Sequence, residues 1–117
     1  MAQEQKARQT LRPWERLRKS SDFKECFRTG RRIRIPGLLI VMRPNNLPYR
    51  RIGLSVGRRL GKAVVRNRAK RIIRELFRKN KEKLPQGHDF VFIPQEDFLK
   101  IKWKEHVRHL SDAFSSS

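Results

Sequence analysis

A chain of 117 residues with 37% hydrophobic side chains and seven Phe can fill one modest core, which excludes disorder throughout. Its 30 Lys and Arg against 11 Asp and Glu leave a formal charge of +19, far more than solubility requires, and such an excess repels itself until a polyanion neutralises it. Nucleic acid is the first partner class this implies, anionic membrane surface the second and an acidic protein a distant third, while the longest apolar run, Leu38 to Met42, falls far short of the ~20 residues that span a bilayer.

Residues 1–16 are polar and basic without apolar period and read as a disordered arm ending near Pro13 and Trp14. They lack the apolar centre of a signal peptide, and the single Cys26 cannot close an internal disulfide, so the cytoplasm is the expected compartment. A short helix follows, capped by Ser20 or Ser21 and stopped at Gly30, with Leu17, Phe23 and Phe27 on its apolar side and Cys26 a small buried thiol between the two rings. After a basic lead-in from Arg31, the run Leu38 to Met42 is too short for a helix and reads as a strand buried on both faces. Beyond a loop at Pro44 to Pro48, Ile52, Leu54 and Val56 alternate with Gly53, Ser55 and Gly57, a second strand with one face that a ligand could approach closely.

The pattern then changes to helix from Lys62 or Ala63 to Lys81. Stepping about 100° per residue gathers Val65, Ala69, Ile72, Ile73 and Leu76 into one apolar stripe, with Arg66 and Lys70 on one flank, Arg68 on the other and Asn67, Arg71, Arg74 and Arg78 opposite. Phe90 to Ile93 make a further buried strand closed by Pro94, and a last helix carries Trp103, Val107, Leu110 and Phe114 on one side before a frayed tail at 115–117. Helices covering a small sheet in this order give a single-domain α+β sandwich.

Between Arg58 and Lys83 stand twelve Lys or Arg against Glu75 and Glu82. A solvated helix face is the bland explanation of a charge run. Here the i,i+4 pairs Lys70 with Arg74 and Arg74 with Arg78 repel each other, a cost that phosphates would relieve, so a phosphate-binding face is the better reading. His88, His106 and His109 have no Cys or carboxylate companions at ligand spacing, and His106 with His109 reads as solvated helix surface. No carboxylate pair, Ser-His-Asp set or P-loop stands out, so no active site of the chain's own is expected. Phe23 and Phe27, one turn apart, read as core residues or as the wall of a cleft on which single-stranded bases stack, with Leu39 and Val41 facing them.

The segment Leu60-Gly-Lys-Ala-Val-Val-Arg-Asn-Arg-Ala-Lys-Arg-Ile-Ile-Arg-Glu-Leu-Phe77, centred on Arg66-Asn67-Arg68, resembles the signature of the bacterial ribonuclease P protein family. Asp22-Phe23-x-x-x-Phe27-x-x-Gly30 resembles the family's first helix, and Ile52-Gly-Leu-Ser-Val56 the strand before its basic loop; the likeness spans about residues 17–114. It implies an α-β-β-β-α-β-α fold with a four-stranded sheet and a left-handed βαβ crossover, so that the three strands read from pattern become four by division of residues 31–57. It also implies that Arg66, Asn67, Arg68, Lys70, Arg71 and Arg74, with Arg58, Arg59 and Lys62 beside them, face the catalytic RNA. Phe23, Phe27, Leu39, Val41 and Ser55 would form a cleft for the 5′ leader of precursor tRNA. Where the family often has an aromatic residue on the cleft strand this chain has Val41, which shifts leader affinity towards Phe23 and Phe27.

By the same resemblance the chain is the non-catalytic protein subunit of an endoribonuclease. Its partners are ribonuclease P RNA and precursor tRNA rather than DNA or membrane, the protein itself is a monomer, and Mg²⁺ is held mainly by the RNA. A ribosomal-type RNA-binding protein shares the charge and fold but needs no leader cleft. An autonomous nuclease is disfavoured by the scattered acids, and a helix-turn-helix DNA binder by the strands that precede the basic helix.

Overall fold

The computed structural model describes residues 11–115, and the apolar patterns of the chain become four strands and three helices. In chain order these are α1 (Ser20–Thr29), β1 (Arg31–Ile35), β2 (Leu38–Pro44), β3 (Arg51–Leu54), α2 (Ala63–Asn80), β4 (His88–Pro94) and α3 (Trp103–Ser115). The strand order is β1-β2-β4-β3, antiparallel except for β3 with β4, which run parallel because the whole of α2 lies between them. The α+β domain with a four-stranded sheet is as expected.

Side chains alternate across a strand, so each buried strand serves two cores. Leu38 and Ile40 of β2 and Phe90 and Phe92 of β4 face α2 and α3 in the larger core, where Phe77 meets Phe92 edge to face at 6.5 Å between centroids. Val41 and Val91 face the other way, into a smaller core closed by Leu17, Cys26 and the half-buried Phe23 and Phe27. Covering on both faces explains why β2 and β4 read as unbroken apolar runs.

The basic lead-in at 31–35 is itself a strand, missed by pattern because β1 is an edge covered on one face only. Its partners Ile40 and Leu38 put Ile33 and Ile35 beside the larger core, while Arg31, Arg32 and Arg34 stay exposed and keep the open edge from pairing with other chains. The second predicted strand ends at Leu54 rather than Val56. The stripe on α2 is rotated from the predicted one: Ala69, Ile73, Leu76 and Phe77 are buried and Ile72 sits at its margin.

Order begins before residue 17, which corrects the predicted extent of the arm; its first ten residues lie outside the described range. Pro13–Glu15 form a single 3₁₀ turn, and buried Glu15 receives Lys81 Nζ at 2.8 Å. Arg16 then bridges to Ile52 and the Leu17 N–H donates to the Ile52 carbonyl at 2.7 Å, so this strap covers the outer edge of β3. Residues 116 and 117 of the predicted tail also lie outside the described range.

Two close approaches seat α1 on the sheet. Gly30, which follows the last turn of α1, leaves room for the close approach to β2, since a Cβ there would stand 2.3 Å from the Cys26 carbonyl and 2.6 Å from Val41 Cγ1. Gly53 admits the Phe23 ring, since a Cβ would meet it at 2.6 Å, so the small face of β3 receives a side chain rather than a ligand. A buried ionic knot adds to this: fully buried Asp89 accepts from Arg51 Nε and Nη2 at 2.8 Å each and from Asn45 Nδ2 at 2.9 Å, while Asp22 of α1 lies 3.5 Å from Arg51.

Two predictions about α3 are corrected. His106 is buried, stacked on Phe98 at 4.4 Å with its Nε2 bonded to the Phe98 carbonyl, and burial lowers its pKa below the ordinary value. Trp103, expected on the inner side with Leu110, is 40% exposed, with Lys79 of α2 5.8 Å from its ring centroid.

Candidate nucleic-acid interface

The long helix α2 begins without a side-chain cap and carries no acid in its first turn, an arrangement that leaves its positive N-terminal end uncompensated. Arg58–Leu60 turn directly into it through Gly61, whose φ of 144° strains any other residue and where a Cβ would crowd Val65 at 3.1 Å. Arg58, Arg59 and Lys62 are thereby gathered, exposed, at the helix entrance. Asn67, Arg68 and Arg71 are exposed along the helix, and Lys70 and Arg74 are half-buried on the flank that faces β3. Arg66 is half-buried, and its Nε finds no acceptor within the protein, an unmet donor worth about 1–3 kcal/mol until an acceptor arrives.

Most of the described acids are spent elsewhere. Glu15 pairs with Lys81, Asp22 and Asp89 with Arg43 and Arg51, Glu25 with Arg28, Glu75 with Arg78 and Lys79, and Glu105 with Arg108. Among the described residues none of these ion pairs reaches Arg58, Arg59, Lys62, Arg66, Arg68, Lys70, Arg71 or Arg74. The predicted repulsion between Arg74 and Arg78 is softened, because Arg78 holds Glu75 through two hydrogen bonds that lower the Glu75 pKa and raise its own. Arg78 is therefore compensated, unlike the eight cations just named, beside which the neutral Asn67 is exposed.

The predicted cleft residues are brought to one face of the sheet but are unequally accessible. Phe23, Phe27, Leu39 and Ser55 are half-buried and present surface. Val41 is fully buried beneath α1, where Cys26 Sγ donates to its carbonyl at 3.5 Å, so it is cleft floor and offers nothing for a base to touch. Burial also raises the Cys26 thiol to a pKa of about 11. Two residues that the sequence reading left out of the site stand here as well: Arg16, assigned to the arm, and Arg18, just beyond it, both exposed and without acid partners among the described residues, line a depression of about 260 Å³ with Phe23, Lys70 and Arg74. Their signal was position, two cations immediately ahead of an aromatic helix.

The depression joins an aromatic ring to cations from the strap and from α2, the combination that binds an unpaired nucleotide by its base and its phosphate. No three His, Cys, Asp or Glu converge as a metal-ligand set among the described residues, and no described helix is long and apolar enough to cross a membrane.

A sequence profile of the family described as Ribonuclease P matches residues 11–116. The chain belongs to the ribonuclease P protein family. It is similar to the ribonuclease P protein component of Petrotoga mobilis, 46% identical over 92 residues that cover 79% of this chain and 78% of that one. With the Syntrophobacter fumaroxidans component it shares 47% identity over 105 residues, 89% and 88% of the two chains. Among solved structures, the ribonuclease P protein of Thermotoga maritima superposes with a TM-score of 0.77 at 34% identity, covering 88% of this chain and 97% of that one. The Staphylococcus aureus protein gives 0.75 at 25% identity, covering 86% and 93%. Membership makes the chain a subunit of a ribonucleoprotein endonuclease that matures the 5′ end of tRNA, with RNA as partner and catalyst.

Proposed function

We propose that the protein works through two adjoining surfaces: the uncompensated face of α2 docks on ribonuclease P RNA, and the Phe23 and Phe27 side of α1 holds the single-stranded leader of precursor tRNA. The observation that carries this is the separation of charge, with eight cations at and before α2 in no ion pair among the described residues while most acids are tied to other cations. Such a face costs stability in the free protein and becomes favourable on a packed phosphate surface.

The work of the chain is then positional. Lys and Arg set among RNA phosphates lower the Mg²⁺ that the folded RNA requires. Phe23, with Arg16, Arg18, Lys70 and Arg74 around it, grips nucleotides upstream of the cleavage site, which favours precursor over mature tRNA.

The test is the reconstituted holoenzyme carrying Phe23→Leu, which keeps apolar volume beside Gly53 but removes the ring. Precursor tRNA should bind roughly tenfold more weakly, at the scale of one lost base-stacking contact, with mature tRNA unaffected. Equal losses for both RNAs would reject the cleft. The same experiment with Arg66→Ala and Arg68→Ala should instead raise the Mg²⁺ needed for cleavage.

A further inference from the structure

Helix positions three and four apart form one row, and Val64, Arg68, Arg71, Glu75 and Lys79 are such a row on the flank of α2 away from β3. Trp103, the first residue of α3, stands at the far end of it with Lys79 Nζ 5.8 Å from its ring centroid. The indole, Ile72 and the ends of Arg71, Glu75 and Lys79 enclose a depression of about 320 Å³. Trp103 is one of only three large apolar side chains exposed among the described residues, and Val64 at the other end of the row is a second.

The charge around the ring is predominantly positive. Lys102 and Lys104 flank it, exposed, and neither they nor Arg71 has an acid partner among the described residues. Glu75, the one acid in the depression, is already held by Arg78 at 2.7 Å and Lys79 at 3.7 Å. An apolar protein partner would have to strip water from these cations to reach a single ring, and one ring with one Ile falls far short of the ~1,000 Å² a specific protein interface buries. A nucleotide meets both features at once, with a π face for the indole and a phosphate for the cations.

We propose that Trp103 is a stacking platform for one unpaired nucleobase of the RNA that docks on α2, with the neighbouring phosphates on Arg71, Lys102 and Lys104. This rests on the reading of α2 as the docking face and extends it: the RNA contact continues from the Arg68 flank across to the start of α3, on the opposite side of α2 from the leader depression. Trp103 touches RNA here as a binding residue and takes no part in cleavage.

The chain has two Trp, so Trp14→Phe leaves Trp103 as its only indole. Titrating that full-length variant with ribonuclease P RNA should quench Trp103 emission and protect it from acrylamide. Trp103→Ala should weaken RNA affinity roughly tenfold, and Trp103→Phe, which keeps a π face, should recover most of the loss. Emission unmoved by saturating RNA, or full affinity in Trp103→Ala, would overturn the proposal. The Phe variant and the fluorescence titration remain decisive if the Ala variant fails to fold. Lys70→Gln with Arg74→Gln, measured alongside, separates the two readings: normal affinity in that variant sinks the docking face itself, whereas weakened affinity there with Trp103→Ala unaffected sinks only the platform.

Discussion

Replacing Arg68, Lys70, Arg71 and Arg74 together by Gln isolates the electrostatic part of RNA binding. None of the four forms an ion pair among the described residues, so the substitutions remove no internal contact of that kind. The free protein should keep its melting temperature or gain slightly, because Lys70 and Arg74 repel at i,i+4 by a few tenths of a kcal/mol. The RNA term is worked from counterion release, in which each neutralised phosphate contributes about −0.7 to −0.9 to the slope of log affinity against log salt. With the eight uncompensated cations engaged, the parent slope should be about −6 to −7, and the fourfold variant should lose about 3 of it. Between 50 and 200 mM monovalent salt the parent should therefore lose roughly four decades of affinity for ribonuclease P RNA and the variant roughly two. Filter binding at fixed Mg²⁺ reads both slopes, with exposed Lys100→Gln as the control that leaves the slope unchanged. A fourfold variant that folds normally and retains the parent slope would refute the assignment of α2 to phosphate contact.

Two further outcomes bear on the scaffold that holds these surfaces. Asp89→Asn leaves Arg51 and Arg43 facing a neutral buried amide, at a cost of about 3 kcal/mol; calorimetry should show a melting temperature lower by on the order of 15 °C, and a change below about 3 °C would mean the knot is not what seats α1. His106 resists protonation in the fold because of burial, whereas in the unfolded chain it takes up a proton near 6.5, so stability should fall as pH drops below 6.5 and be regained above it. Denaturant titrations of His106→Gln across pH 5 to 7 should show a flatter profile than the parent, and an identical slope would exclude His106 as its source.

Sequence by itself determined what depends on local order and on counting. The span of α2 follows from its period and from the Pro beyond it, the two buried strands from runs too short to be helices, and the nucleic-acid partner from a charge that no fold of 117 residues could neutralise internally. The family signature resides in one contiguous helix, which is why the site was legible there. Edge strand β1 was not, because a strand covered on one face, carrying three exposed Arg and next to a turn, has too few apolar positions to show its period.

Only the tertiary structure decided which side chains are spoken for. Helical periodicity places Trp103 with Leu110, and His106 beside His109 reads as solvated surface, yet Trp103 is exposed and the Phe98 turn buries His106. Arg78 and Arg74 look alike in the chain, but Arg78 closes on Glu75 while Arg74 turns toward Phe23. Val41 looks like a cleft residue until Gly30 lets α1 settle on it. In each case the outcome depends on neighbours distant in sequence or on the rotation of one helix against another, and a period of 3.6 or 2 carries no information about either.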